Sequence, residues 1–428
     1  MSASGEAPPA AGPGTEATLL IDDVRLVDAH RDTPAGWVLA GPAGILDVGA
    51  GPAPEVPAGC QQIAGAGRML TPGLIDMHSH GGGGGSFDGD AEQIRTALSA
   101  TARHGVTRSM LSLVTGSAPD TAAALASIAA LADGTAGPAD PTGPADPTGL
   151  DGPAVPDGPA AAGAGIIGVH LEGPCISPHK AGAHDPALMQ TPSTQLIDRF
   201  AEAGDGWLRY ITIAPELPGA LTAIRHAADR GIRMGVGHTI ADYATTRAAF
   251  DAGATILTHA FNAMPGIHHR DPGPLIAALD DDRVTIELIL DGVHVVEPVA
   301  AHLWRSCPGR LALITDAMSA AGFGDGSYRL GGLAVTVAGG VARLTGTDTI
   351  AGSTLTLDAA LRRAAHLGIG LQEAVGAATH VPAASLGLGD RHGLLAPGQA
   401  ADFVLWDDDM HIAGVWRDGC QLSRGEIR

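Results

Sequence analysis

The sequence predicts a (β/α)8 barrel of the TIM type that carries a small β-sandwich domain formed by both chain ends. Eight apolar runs of strand length alternate with Ala-rich amphipathic segments over about 250 residues, as strands and helices do in such a barrel. Before and after this region, short apolar runs alternate instead with Gly/Pro turns, which is typical of antiparallel sheets. Only 3% of the residues are aromatic, so the core has to consist of Ala, Val, Leu and Ile, which suits helices packed on parallel strands.

The elements of the predicted barrel follow one another as strand and helix. The eight strands are expected at 69–78, 107–114, 166–172, 208–214, 232–238, 255–259, 284–290 and 311–316. Helical segments follow most of them, among them 91–104, 120–132, 217–230, 242–252 and 298–307. A doubly wound open sheet is the competing interpretation. A GxGxxG helix start after a first strand would favour that interpretation, and GGGGGS at 81–86 provides none.

The remaining segments complete the predicted domain organisation. We expect a disordered tail at 1–17, a small β domain formed by 18–68 and 393–428, and the barrel at 69–392. Within the barrel, 134–165 contains GPADPT twice in tandem and is rich in Pro, Gly and Asp. Such a segment has almost no large apolar residues to bury, so we expect a disordered insertion between a helix and the third strand.

Charge and cysteine content restrict the function. The chain of 428 residues has 25 Lys and Arg against 46 Asp and Glu, a net charge of −21, which argues against nucleic-acid binding through a basic surface. The sequence has no uncharged apolar run of about 18 residues, and its first residues lack the basic and apolar regions of a signal peptide. Its four cysteines form no CxxC pair. We therefore expect a cytoplasmic protein with reduced thiols.

Metal-ligand residues stand at the ends of five predicted barrel strands. The first strand ends in DMHSH, the third in HLEGP, and the fifth, sixth and eighth end at His238, His259 and Asp316. In a barrel these ends meet at one face, and His78 and His80, two residues apart, share one side of their strand. Imidazole and carboxylate are ligands for Zn²⁺ or Fe²⁺. Each residue alone is weak support for a metal site, but the set predicts a catalytic one.

At six motifs the sequence resembles the amidohydrolase superfamily and, within it, the N-acetylglucosamine-6-phosphate deacetylase family. The motifs are HLEGP (170–174), VGHT (236–239), THAFNAMP (258–265), DGVHV (291–295), ITDAM (314–318) and IAGSTLTLD (350–358). Related amidohydrolases bridge two metals with a carboxylated lysine after strand four. Here that strand ends Ala214-Pro215-Glu216, and the only lysine, Lys180, follows strand three. The resemblance therefore gives the bridging role to Glu172.

The resemblance also implies the metal ligands and the reaction. Glu172, His238 and His259 would bind the principal metal, Zn²⁺ or Fe²⁺. His78 and His80, with Glu172 shared, would form a second site, so that one or two metals per subunit are expected. The alternative for the HxH pair is a place beside a single metal. Water activated by the metal would attack the acetamide, and Asp316 would act as general base and then as general acid.

The substrate contacts are likewise implied by the resemblance. Arg270 and His294 match positions that hold the sugar 6-phosphate, and the arginine reaches a neighbouring subunit's site, which implies a homodimer. His184, Asn262 and Ala263 match further ligand contacts. The expected substrate is N-acetylglucosamine 6-phosphate. Two alternatives stay open: an amidohydrolase acting on another N-acyl amino sugar, and an inactive barrel that binds a sugar phosphate.

Overall fold

The computed structural model describes residues 17–135 and 163–424. The predicted tail up to residue 16, and the predicted insertion from 136 to 162, lie outside the described residues. The described residues extend slightly into the predicted insertion on both sides. A helix continues to Thr135, and Ala164 is buried, with its N–H donating to the carbonyl of Leu98.

Both chain ends contribute to one eight-stranded sheet, which confirms the prediction that they pair. Its strands are β1 (Leu19–Asp28), β2 (Arg31–Gly41), β3 (Gly44–Ala50), β4 (Gln61–Ala64) and β5 (Met69–Pro72), followed by β19 (Phe403–Trp406), β20 (Ile412–Arg417) and β21 (Cys420–Arg424). The order is β21-β20-β19-β5-β1-β2-β3, with β4 on β1. Antiparallel pairing of β19 with β5 joins the two ends. Leu26, Val38, Phe403 and Trp416 are buried in its core.

The predicted (β/α)8 barrel is confirmed by a second sheet of eight parallel strands. These are β6 (Leu74–Ser79), β9 (Val106–Leu113), β10 (Gly165–Glu172), β11 (Leu208–Ile213), β12 (Arg233–Val236), β13 (Ile256–Leu257), β14 (Thr285–Ile289) and β15 (Leu311–Ile314). They neighbour one another in chain order from β6 to β15. Just past the strands, backbone bonds from His80 N–H to Ala317 O (2.7 Å) and from Asp316 N–H to His78 O (2.9 Å) join β15 to β6. The barrel is thus closed directly beside predicted site residues.

Helices follow the barrel strands as expected. They are α1 (Ala91–Arg103), α2 (Ala118–Thr135), α3 (Thr194–Gly204), α4 (Ala220–Asp229), α5 (Tyr243–Asp251), α6 (Gly273–Leu279), α7 (Glu297–Ser306), α8 (Leu357–His366), α9 (Leu371–Ala377) and α10 (His380–Ser385). Several start at side chains that accept hydrogen bonds from free N–H groups of the first turn: Asp90 caps α1, Ser193 caps α3 and Asp242 caps α5. None of the helices in the described ranges is both long and apolar enough to cross a membrane.

The first predicted strand is divided between the two sheets. Residues 69–72 form β5 in the terminal sheet, and residues 74–79 form β6 in the barrel. Gly73 stands at the crossing, and a Cβ there would lie 2.1 Å from Oγ1 of Thr107. A side chain at this position would displace Thr107, so the close approach at the crossing favours glycine.

Two smaller sheets lie between the barrel elements and were not predicted. A hairpin, β7 (Gly81–Gly82) and β8 (Gly85–Ser86), occupies the pentaglycine segment. An antiparallel sheet of β16 (Gly326–Leu330), β17 (Leu333–Ala338) and β18 (Val341–Leu344) follows the last barrel strand. Its buried face packs Leu330, Val335 and Val337 against Met318, two residues past Asp316. This sheet therefore covers the segment that holds the predicted general base.

Candidate metal centre

Five strand ends bring the six predicted metal-site residues together at one face of the barrel. The residues are His78 near the end of β6 and His80 directly after it, Glu172 ending β10, and His238, His259 and Asp316 after β12, β13 and β15. All six are buried, with at most 8% of each exposed. The structure therefore places together every residue that the sequence predicted for metal binding and proton transfer.

Three of these residues have a left-handed backbone. The φ angles of His238, His259 and Asp316 are +45°, +29° and +47°, and each residue lies two positions beyond the last residue of its strand. Such angles cost non-glycine residues about 1–3 kcal/mol each and cluster at functional sites. The same sharp turn thus ends three strands and holds three site side chains.

The Glu172 carboxylate is the point on which the site converges. Its Oε1 lies 3.1 Å from Nε2 of His238 and 2.9 Å from Nε2 of His259, and the two Nε2 atoms are 3.0 Å apart. Ligand atoms about 2.0–2.2 Å from one zinc ion would be separated by about 3 Å or slightly more. The spacing therefore fits a shared divalent metal.

The tautomer of His238 supports the same conclusion. Its Nδ1 lies 2.8 Å from the carbonyl oxygen of Lys180, which can only accept, so Nδ1 carries the proton in the neutral ring. Nε2 then presents a lone pair to the Glu172 carboxylate, which also offers only lone pairs. Lone pairs facing one another at 3.1 Å repel unless a cation lies between them. With the ring neutral, the donor set is therefore that of a metal site and not of a simple hydrogen bond.

The HxH pair faces the same carboxylate. Nδ1 of His80 donates to the carbonyl of Ser112 at 3.1 Å, and its Nε2 lies 3.1 Å from Oε2 of Glu172 and 3.3 Å from Oδ1 of Asp316. Nε2 of His78 lies 3.5 Å from Oε1 of Glu172. Hence His78, His80, Glu172 and Asp316 can share a cation. Glu172 is common to this group and to the group that it forms with His238 and His259.

Glu287 is a further member of the site that the sequence analysis missed. Its Oε2 accepts a hydrogen bond from Nδ1 of His78 at 3.1 Å and another from the backbone N–H of His259 at 3.1 Å. The side chain is completely buried inside β14, and its Oε1 has no partner among the described residues. The only signal in the sequence was one acidic residue within the apolar run VTIELIL.

His184 contacts the centre in the opposite tautomer. Its Nδ1 accepts the backbone N–H of Thr115 at 3.1 Å, so in the neutral ring Nε2 carries the proton and donates to Oε2 of Glu172 at 3.3 Å. Burial lowers the pKa of His184 to about 4, which keeps the ring neutral. His184 is therefore a hydrogen-bond donor beside the metal ligands, and its position by the cavity fits the predicted ligand contact.

The electrostatics of the site call for a cation. Burial alone lowers the pKa of His80, yet hydrogen bonds with Asp316 and Glu172 raise it to about 9. Burial raises the pKa of Glu172, but the surrounding histidines hold it well below its ordinary value. The raised pKa of His80 reflects the negative charge of Asp316 and Glu172, and the lowered pKa of Glu172 reflects the histidines around it. A divalent metal would neutralise the same carboxylate charge.

A cavity of about 440 Å³ opens above the carboxylates and is lined by predicted substrate contacts. His184, Asn262, Ala263 and His294 line it together with Asp316. His294 is held by Asp291, whose Oδ2 accepts from its Nδ1 at 2.7 Å. Arg270 is exposed, lies outside this lining and pairs with the ring of His269. Within one chain, Arg270 therefore does not reach the cavity.

Other cavity residues were not predicted. His179 and Lys180 come from the loop after β10, and Leu330, Asp348 and Ile350 come from the region of the β16–β18 sheet. Ile350 begins the motif IAGSTLTLD but was given no role, and the positions of the others depend on tertiary packing that local sequence patterns do not report.

Two neighbouring residues have structural roles. Cys175 is buried, and burial raises the pKa of its thiol to about 12, so it packs as a small apolar group. His170 is buried beneath the centre, between Ser112 (3.0 Å) and Thr212 (2.8 Å), as a core residue of the barrel. Neither contributes a ligand atom to the two groups described above.

The comparisons with known proteins agree with the geometry. The model of the amidohydrolase family matches residues 69–422. The chain is 39% identical to an N-acetylgalactosamine-6-phosphate deacetylase of Escherichia coli O157:H7 over 82% of this chain and 87% of that protein. It is 35% identical to the human N-acetylglucosamine-6-phosphate deacetylase over 82% and 83%.

Solved structures show the same similarity. A mutant N-acetyl-D-glucosamine-6-phosphate deacetylase from Mycobacterium smegmatis, in complex with N-acetyl-D-glucosamine-6-phosphate, is 38% identical to this chain. It superimposes with a TM-score of 0.84 and covers 95% of this chain and 99% of its own. The N-acetylglucosamine-6-phosphate deacetylase of Thermotoga maritima is 27% identical, with a TM-score of 0.79 and coverage of 95% and 100%.

Proposed function

This chain belongs to the amidohydrolase family, and we propose that it hydrolyses N-acetylglucosamine 6-phosphate to glucosamine 6-phosphate and acetate. The observation that carries the proposal is the convergence of Glu172, His238 and His259, with Asp316, at the base of one cavity. Relatives that share 34–39% identity over 82% of the chain are deacetylases of phosphorylated amino sugars.

The residues present fit a divalent metal, Zn²⁺ or Fe²⁺. Glu172, His238 and His259 would hold the principal ion, and His78 and His80, sharing Glu172, would hold a second one. When bound, such an ion lowers the pKa of water and stabilises negative charge on a carbonyl oxygen. A catalytically inactive sugar-phosphate-binding barrel, the alternative from a different class, would not need Asp316 buried at this position.

Asp316 supplies the proton transfers. Its carboxylate would accept a proton from the attacking water as the water oxygen bonds to the acetamide carbon. When the C–N bond breaks, Asp316 would return that proton to the departing nitrogen, so that acetate and a free amine leave. His78 and His80 lower the pKa of Asp316 against the effect of burial, which keeps the carboxylate ionised and able to accept.

The phosphate would be held by His294 and by Arg270 of a neighbouring subunit. Arg270 does not line the cavity of its own chain. Ile267, close to Arg270 in sequence, is 53% exposed, and Val296, close to His294 in sequence, is 55% exposed. Exposed apolar side chains of this size favour burial against another surface. These observations support a homodimer in which each chain completes the other's site.

Metal analysis combined with an acetate-release assay tests the proposed function. We expect one or two divalent ions per chain, and acetate release from N-acetylglucosamine 6-phosphate that chelation abolishes and added Zn²⁺ or Fe²⁺ restores. N-acetylgalactosamine 6-phosphate belongs in the same assay, because the E. coli relative is named for it. Turnover of that sugar alone would move the assignment to it, and metal-independent turnover or none would refute the proposal.

The free cysteines support a reducing compartment as the location of this reaction. Cys60, Cys175, Cys307 and Cys420 are all unpaired, as expected in a reducing compartment. We propose the cytoplasm on this ground.

A further inference from the structure

Lys180, the only lysine of the chain, lies at the edge of the cavity. It ends a single 3-10 turn, Pro178–Lys180, in the loop after β10. Its backbone and its side chain have different partners. The backbone carbonyl accepts from Nδ1 of His238 at 2.8 Å, and Nζ donates to the carbonyl of Met264 at 3.3 Å.

The ammonium group of Lys180 makes no ion pair among the described residues. In the described parts of the chain, no carboxylate lies within 4 Å of Nζ. By contrast, the buried Arg108 pairs with Asp402 and Asp418, and His294 in the same cavity is paired with Asp291. A half-buried ammonium held by one carbonyl oxygen is unusual in a chain whose net charge is −21. Lys180 is therefore a cation at the edge of the cavity that makes no ion pair with the described residues, although carboxylates such as Asp348 line the same cavity.

Its neighbours place this charge beside the proposed sugar contacts. Met264, whose carbonyl Nζ contacts, directly follows Ala263, and Asn262 and Ala263 line the same cavity. An ammonium group has three protons on a flexible stem, so it can exchange a carbonyl for the oxygens of an anion without moving the backbone. That backbone remains fixed by its bond to His238.

We propose that Lys180 is a specificity-determining residue whose ε-ammonium binds the phosphate group of the substrate. The inference rests on the proposed function, because it takes the anion in the cavity to be the sugar 6-phosphate. It adds to the site a cation from the same chain, whereas Arg270 would come from the partner. Lysine is also chemically suited to this role, because its ammonium group binds phosphate as a compact point charge and does not need the two-point geometry of a guanidinium.

Replacing Lys180 by Met removes the charge and preserves the length of the side chain. For N-acetylglucosamine 6-phosphate we expect a rise in KM of about 10- to 100-fold with kcat within about threefold, as for loss of one charge-assisted contact. For unphosphorylated N-acetylglucosamine, kcat/KM should stay unchanged. Lys180→Arg should recover most of the affinity. Arg95→Met, on the exposed side of α1, is the control for a distant loss of positive charge.

A second measurement does not depend on turnover. Because the chain has one lysine, an amine-reactive reagent labels Lys180 and otherwise only the α-amino group, and mass spectrometry of the peptide containing residue 180 reports the extent of labelling. We expect glucosamine 6-phosphate to slow this labelling at least several-fold and glucosamine to leave it unchanged. The metal content of Lys180→Met should equal that of the wild type, because the carbonyl that binds His238 is retained.

The outcomes separate the inference from the proposed function. If the wild type releases acetate but Lys180→Met lowers kcat/KM equally for phosphorylated and plain sugars, the inference is wrong and the proposed function stands. Unchanged kinetics together with labelling that glucosamine 6-phosphate does not slow would also overturn it. If the wild type releases no acetate, the proposed function fails, and protection from labelling by glucosamine 6-phosphate still decides whether Lys180 binds the phosphate.

Discussion

The second ring nitrogen of each site histidine decides what that histidine can do. His80 and His238 donate to carbonyls of Ser112 and Lys180, which leaves Nε2 free to bind a metal. His184 instead accepts the N–H of Thr115 and so donates to Glu172. The family resemblance predicted a ligand contact for His184. The partners that set the three tautomers lie in other segments of the chain, so the sequence could not reveal which nitrogen carries the proton.

The clearest test at this scale is Asp316→Asn. Asparagine has the same shape and tolerates the left-handed backbone at φ +47°, so we expect the fold to persist. It cannot accept the proton of water, and kcat should fall by about 10²- to 10⁴-fold, the usual contribution of a general base. Acetate release and circular dichroism measure the two effects.

The control for this substitution is Asp229→Asn at the exposed end of α4. It should leave kcat unchanged. Acetate release that survives in Asp316→Asn at the wild-type rate would remove Asp316 from the role of general base.

The barrel elements show how far sequence patterns reach. Seven of the eight predicted strands are found within two residues of their expected bounds, because a buried parallel strand requires a continuous apolar run. The first, expected at 69–78, is divided between the two sheets. Strand ends were then enough to predict six residues that the structure brings together at one face of the barrel. Glu287 escaped this reasoning because it contacts His78 from inside β14. The β16–β18 sheet escaped it because short strands around Gly turns resemble loops in sequence.

We expect Glu287→Gln to weaken metal binding. A carboxylate that accepts from the second nitrogen of a ligating histidine orients that ring and increases its basicity, and its loss costs about 10- to 100-fold in metal affinity. The amide of Gln can accept from Nδ1 of His78 but carries no charge. Titration with a competing chelator measures the change.

Glu202→Gln, on the exposed part of α3, is the matched control and should retain the affinity of the wild type. Equal metal affinity in both variants would show that Glu287 only fills space in β14.

At the scale of the whole molecule, a buried ion pair joins the barrel to the terminal sheet. Arg108 of β9 donates to both carboxylate oxygens of Asp402, at 2.7 and 3.1 Å, and it also contacts Asp418. Asp402 precedes β19, the strand that connects the two chain ends. The pairing of the ends was predicted from their shared texture, but a contact between residues 294 positions apart was beyond any local pattern.

We expect Asp402→Asn to lower the free energy of unfolding by about 3–5 kcal/mol, the cost of removing one partner of a buried ion pair, because the partly exposed Asp418 is then the remaining carboxylate beside Arg108. Burial raises the pKa of Asp402, but the adjacent Arg108 guanidinium outweighs it and holds that pKa well below its ordinary value. A lowered folded-state pKa stabilises the fold above the unfolded pKa of about 3.9 and ceases to do so as the pH falls through the folded value. The difference between wild type and variant should be complete at pH 7 and shrink below about pH 4.

Asp32→Asn is the matched control, because Asp32 also pairs with an arginine, Arg25, but both side chains are partly exposed. Its cost should stay below about 1 kcal/mol. Denaturant unfolding at several pH values measures both variants, and equal costs would contradict a special role for the buried pair.

The strand order of the terminal sheet has a consequence for synthesis on the ribosome. β5 is made before the barrel, but its neighbour β19 is made after it, so one edge of β5 stays unpaired while the entire barrel emerges. Unpaired strand edges invite association with other nascent chains. A chain released before Phe403 would keep that edge open permanently, which makes it a target for chaperones and proteases even where the barrel itself has folded.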